Sequence, residues 1–239
     1  MIKKVIYTVL FTAFMASCSS KEDIIPASKT LTAFQEETIT YFKEIALGFE
    51  FGSASAITRN WSENMKIYVG GDKRDYLLNE IEMVSNEINT LAENGFQIST
   101  VSDSSQSNFY IFFGTGEAYG NIFPSSKNLI SSNWGLFNVS YNGQNHIFSG
   151  RMYVDTERPN NSEQRHLLRE ELTQALGLAK DSGRYPQSIF QQSWTRTTEY
   201  IGIDKELIRL LYHPQMETGL DGDEVEKTLA AIYTTENNE

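Results

Sequence analysis

Apolar positions recur along this chain with two different periods. Leu77, Ile81, Val84, Ile88 and Leu91 step by four and three, the spacing of one face of a helix, and Gly95 follows as a stop signal. Phe34, Thr38, Phe42, Ile45 and Phe49 repeat that spacing more loosely and predict a helix over Thr30 to Phe49. Met65 to Val69 instead alternates apolar with polar residues and ends at Gly70-Gly71, which predicts a strand. Phe96 to Val101 and Phe109 to Phe113 predict two more strands, with the aromatics of the second expected in the sheet core. Trp134 to Tyr141 and His146 to Val154 flank Asn142-Gly143, a hairpin pattern in which both turn residues are expected at positive φ. Asn161 to Leu176 predicts a helix with Asn161 as its cap, Gln164 as the capping-box partner and Gly177 as its end. Asp204 to Tyr212, before Pro214, and Asp223 to Tyr233 predict the last two. Helix, strand, helix, several strands, then helices is the order of an α+β or α/β domain with a mixed sheet.

The N-terminus follows a different logic. Lys3 and Lys4 precede an uncharged, mostly apolar run from Val5 to Ala16, which is the length of a signal-peptide core and too short to span a bilayer. Met15-Ala16-Ser17-Cys18 then resembles the lipobox of bacterial lipoprotein precursors. The expected organisation is a signal peptide over 1–17, a lipid-anchored tether over 18–29 acylated on Cys18, and one domain over 30–239. The expected location is the cell envelope, anchored to the outer membrane through acyl chains that each contribute about 0.8 kcal/mol per buried methylene. Lys21-Glu22-Asp23 resembles the surface-export signals of Bacteroidetes-type lipoproteins, and an ordinary solvated linker reads equally well there.

Composition narrows the chemistry. Cys18 is the single cysteine, so the domain has neither disulfides nor thiol catalysis. The formal charge is −11, and it becomes −13 once Lys3 and Lys4 leave with the signal. A chain this acidic is a poor partner for nucleic acid. Gly114-Thr115-Gly116 is too short for a phosphate-cradling loop and is not followed by a helix signal.

One segment carries the functional question: His166-Leu-Leu-Arg169-Glu170-Glu171-Leu-Thr-Gln174-Ala-Leu-Gly177-Leu-Ala-Lys180-Asp181. On a helix, residues 170 and 174 share a face, where a zincin carries two metal-binding His with a general-base Glu after the first. Laid on the metzincin pattern, Glu171 takes the base position and Gly177 the turn. Glu170, Gln174 and Lys180 take the three His positions. Ser188-Ile189-Phe190 sits where metzincins place the turn beneath the metal, and Thr198 to Tyr212 resembles their closing helix. The likeness covers Met65 to Pro214. Leu176-Gly177-Leu178, Asp181-Ser182, Ser188-Ile189-Phe190, Asp204, Leu211-Tyr212-His213-Pro214 and Gly219 resemble, more specifically, the bacterial family known as domain of unknown function 2927.

That resemblance implies an α+β, metzincin-like fold: a twisted mixed sheet, backing helices at 77–91 and 163–176, and a smaller helical C-terminal part. It also implies a domain that has lost the zinc triad, since a Gln amide is a weak ligand and an ammonium repels a cation. Lys180 or Arg169 is expected to supply the positive charge opposite Glu170 and Glu171. The alternative is that both carboxylates lie on an open helix face. No cofactor is expected. The remaining metal reading is zinc or another divalent cation held by His166 and Glu170. His146 is expected on a strand, and His213 near the last carbonyls of its helix. Three functions stay open: a domain that binds an extended peptide or protein without cleaving it, a hydrolase with Glu171 as general base and a non-standard metal site or none, or a purely structural envelope protein whose helix keeps an ancestral packing pattern.

Overall fold

The computed structural model describes residues 30–50 and 52–238. The expected signal peptide, Cys18 and the tether therefore lie outside the described residues. Among those described, no helix is long and apolar enough to cross a membrane.

Helix α1, Ala33–Ala46, is capped by Thr32, with Gln35 answering as the capping-box partner. Strand β1, Asn60–Trp61, is only two residues long and gives no periodicity to read. Strand β2, Met65–Gly71, leads to helix α2, Asp75–Leu91, which buries Leu77, Ile81, Val84 and Ile88 as its spacing predicts. Strands β3, Ile98–Thr100, and β4, Phe109–Gly114, follow. A helix then does begin at Gly116, contrary to expectation: α3, Gly116–Ile122, is N-capped by the Thr115 hydroxyl, and the short α4, Lys127–Ile130, comes after it. Neither has enough apolar repeats to announce itself. The hairpin pairs β5, Gly135–Tyr141, with β6, His146–Asp155. Its turn places only Asn145 at positive φ, at 66°, because the loop is longer than the two-residue turn that Asn142-Gly143 suggested. Helix α5, Asn161–Gln174, is capped by Asn160 with Glu163 as its partner, one residue earlier than expected. Helices α6, Gly202–Leu211, and α7, Gly222–Glu236, complete the chain.

Five strands run parallel, in the order β3-β2-β4-β6, with β1 beside the start of β6. Among the described residues the antiparallel β5 pairs only with β6 and so forms an edge. The result is a mixed α/β fold, compatible with the expected α+β class. Alternation along β4 sorts the two layers. Phe109, Ile111 and Phe113 enter the main core with α1, α2, α5, α6 and α7. Phe112 packs on the opposite face with Tyr119, Ile130, Leu136 and Tyr153, beneath α3 and α4. Each fully buried Leu, Ile or Phe in these layers contributes about 1.5–3 kcal/mol.

Candidate functional site

α5 lies between the core and the edge strand, and it is buried almost all round. Leu168 and Leu172 face the core, while His166, Glu170 and Gln174, each one turn apart, form a stripe along a pocket of about 920 Å³. The expectation of an open helix face is thereby excluded: both Glu170 and Glu171 line this pocket. β5 forms the facing wall through Gly135, Phe137 and Val139. Trp134 and Trp194 meet edge to face at 5.1 Å on one rim, and Phe49 stacks on Tyr141 at 6.1 Å on the other.

Two glycines permit this arrangement. At Gly135 an added Cβ would come within 2.6 Å of Glu171 Oε1, so only a residue without a side chain lets the carboxyl lie against the strand. At Gly177, φ is 124° and an added Cβ would meet the Arg59 carbonyl oxygen at 1.9 Å. The chain reverses there and returns Asp181 to the end of α5, where Gln174 Nε2 donates to Asp181 Oδ1 at 2.6 Å. Asp181, not Lys180, is thus the residue that this turn delivers to the pocket. Neighbouring residues in an extended segment point to opposite sides, and Lys180 acts on Glu44 instead.

Arg169 also lies elsewhere. It faces α2, donating to Glu87 at 2.7 Å and Glu80 at 3.2 Å, with Tyr200 stacked beneath its guanidinium at 4.5 Å. The expected ion-pair network around Glu170 and Glu171 is therefore corrected. None of the described residues lining the pocket is a Lys or an Arg, and two further acids, Glu50 and Asp181, join the pair. Burial first, then Glu171, Asp181 and Glu50, push the Glu170 carboxyl well above the usual range. Burial, then Asp181 and Glu50, do the same to Glu171, against the pull of the Phe137 N–H. Burial likewise raises Asp181, opposed by Gln174, and raises Glu50 with help from Asp181.

His166 is 2% exposed. Its Nδ1 lies 2.7 Å from the Thr197 carbonyl, which can only accept, so Nδ1 carries a proton. Burial lowers its proton affinity, leaving Nε2 as a lone pair beside Thr195 Oγ1 at 3.3 Å and Glu170 Oε2 at 3.4 Å. A protonated Glu170 can donate to that nitrogen. Among the described residues lining the pocket, the zinc triad of a metzincin has no counterpart, since Lys180 is not one of them and Gln174 is bonded to Asp181. His166 Nε2 and Glu170 Oε2, 3.4 Å apart, are close enough to share a cation.

Residues 35–231 match a family described as "Protein of unknown function (DUF2927)". The chain belongs to the DUF2927 family. The DUF2927 match spans both walls of the pocket, from α1 into α7. No curated protein sequence matches the chain.

The other expected positions fall as follows. Ser188-Ile189-Phe190 forms a tight buried turn, held by Asp204, which accepts from Ser188 Oγ at 2.6 Å and from the Ile189 N–H at 3.1 Å. His146 opens β6. The His213 ring turns away from the helix carbonyls, accepting from the Gln215 N–H through Nδ1 and facing Glu93 and Glu236 with Nε2. Within the DUF2927 pocket, Glu50, Phe137, Trp194 and the role of Asp181 were missed. Asp181 alone had a signal, sitting one residue past the third ligand position.

Proposed function

We propose that this protein is a lipid-anchored component of the bacterial cell envelope whose domain, a metzincin-like cleft without the metal triad, binds an extended peptide along β5. One observation carries the peptide reading. The Asp155 N–H donates to the Trp134 carbonyl at 2.7 Å, which sets the antiparallel alternation so that Gly135, Phe137 and Val139 turn their backbone groups away from β6. Those groups border the pocket, so an incoming strand can continue the sheet there. The Phe137 N–H is turned toward Glu171, which leaves Val139 as the principal free donor.

Val139→Pro tests this. It removes an N–H that the β6 ladder does not use, so folding is expected to survive. Isothermal titration of the full-length protein in detergent with a pool of capped hexapeptides is expected to show binding that this variant loses. Unchanged binding would exclude β5 as the docking edge. The anchor is tested separately: Cys18→Ser is expected to abolish incorporation of labelled fatty acid and to move the protein out of the membrane fraction.

A hydrolase remains the second reading, favoured by Glu171 lying in a pocket where burial raises its proton affinity. Turnover of quenched fluorescent peptides, lost in Glu171→Gln, supports it. Absence of turnover by the wild type across pH 4–9 rejects it.

A further inference from the structure

Peptide binding along β5 leaves open what the α5 end of the pocket selects, and three observations bear on that. The first is that the ionisable groups there are acidic or accepting, the Gln174 amide being occupied as a donor to Asp181. Carboxyls of Glu50, Glu170, Glu171 and Asp181 line it together with the unprotonated Nε2 of His166, and none of the described lining residues is cationic. The second is that Glu171 is more than nine-tenths buried, at 8% exposed, yet among the described residues the Phe137 N–H is the one donor turned toward it. A carboxylate offers about four lone-pair sites, so most of its capacity is unmet within the chain.

The third observation is the spacing. Among the described residues, only Glu93, His213 and Glu236 bring three carboxylate or imidazole ligand atoms within 4.8 Å of one another. That trio lies outside the pocket, and Arg209 already bridges its two acids. The pocket acceptors are spread more widely than a single small ion can gather at ligand distances of about 2.0–2.6 Å. A guanidinium, planar and carrying five N–H donors in a fork, suits spread acceptors.

We infer that the α5 end of the pocket is a specificity subsite for a cationic side chain, an arginine above all, of the peptide held on β5. This rests on the strand-addition reading for how the peptide arrives. Glu171, fixed between Gly135 and the Phe137 N–H, and Glu170, beside His166, are the recognising groups. Gln174 orients Asp181 as a third. Entry of a fixed positive charge favours ionised carboxyls and so opposes the raised proton affinity of Glu170 and Glu171.

Calorimetric titration of the full-length protein at about 0.15 M salt compares capped Ser/Ala hexapeptides containing one Arg with counterparts containing citrulline, which keeps the shape and lacks the charge. The Arg peptide is expected to bind about tenfold or more tightly, a difference of about 1.4 kcal/mol or more. Glu170→Gln/Glu171→Gln is expected to erase that preference while leaving the citrulline affinity in place. Glu82→Gln, at an exposed position on α2, is expected to leave it intact and so controls for general charge. Equal affinity for the two wild-type ligands overturns the inference and leaves strand addition standing. If no peptide binds, strand addition fails, and butylguanidinium then tests the subsite alone. Saturable binding lost in the double variant supports a cation site, and no binding overturns it. Zinc held one-to-one by the wild type and lost in the double variant would also overturn it, in favour of a metal centre.

Discussion

Glu171 and Gly135 are fitted to each other across the gap between helix and edge strand: the Glu171 Oε1 occupies space 2.6 Å from where any side chain at 135 would begin. Leu167 closes the same spot at 3.0 Å. The carboxyl is therefore clamped rather than free to swing. Gly135→Ala is expected to push β5 off α5 or to expel the carboxyl, at a cost of about 1–3 kcal/mol. Chemical denaturation would read the cost, and peptide titration would show weakened binding. Unaltered stability and binding would mean that the clamp is loose.

The pocket acids set a pH dependence of definite sign. Glu50, Glu170, Glu171 and Asp181 hold their protons to higher pH in the folded chain than their ordinary values of 4.5 for Glu and 3.8 for Asp. Their contribution to stability is complete below those ordinary values and is lost as pH rises through the raised ones. Glu44, Asp155 and Glu206 run the other way, since hydrogen bonds and cations lower them despite burial. Their contribution is lost on acidification. Comparing wild type with Glu170→Gln/Glu171→Gln cancels those common groups. The variant is expected to melt a few degrees higher at pH 8, about 1 kcal/mol, and to match the wild type near pH 4. A gap that widens toward acid would contradict the assignment.

Arg169 was a candidate for the pocket and instead holds up α2. Its partner Glu80 is 2% exposed, and burial raises the proton affinity of that carboxyl even with the guanidinium beside it. Arg169→Ala strands a buried acid and is expected to cost about 3–5 kcal/mol. Arg169→Met with Glu80→Leu is expected to restore most of that, with peptide binding unchanged. Loss of binding in the stable double variant would return Arg169 to the site.

The turn at 188–190 depends on Asp204. This fully buried carboxyl accepts from Ser188, Ile189 and the Ile201 N–H, joining the turn to the start of α6. Asp204→Ala leaves the Ile189 and Ile201 N–H groups without an acceptor, each costing about 1–3 kcal/mol, while the Ser188 hydroxyl keeps the Tyr41 hydroxyl as a partner at 2.9 Å. Denaturation and amide exchange at 188–190 would both report it. A shift below 1 kcal/mol would show that water replaces the carboxylate.

Legibility followed the range of the interactions. The stripe of α2 and the alternation of β2 and β4 are local repeats, and they appear where their periods place them. α3 was missed because its single cap, Thr115, precedes only seven helical residues. β1 was missed because two residues carry no period, and it exists only because His146 and Ile147 supply partners. In the site, the stripe of His166, Glu170 and Gln174 was readable from steps of four, and the turn from Gly177.

What those positions face was not readable. By itself the sequence determined which residues share a helix face, where the chain must bend, and that a strongly acidic stretch follows an uncharged, mostly apolar N-terminal run. Only the tertiary structure decided that Arg169 meets Glu80, that Lys180 stays out of the pocket lining, and that Asp181 and Glu50 join Glu170 and Glu171 against β5. The physical reason is that backbone periodicity is set within a few residues. The sign of the charge opposite a side chain is instead set by packing between segments as distant as Glu50, Gly135 and Asp181.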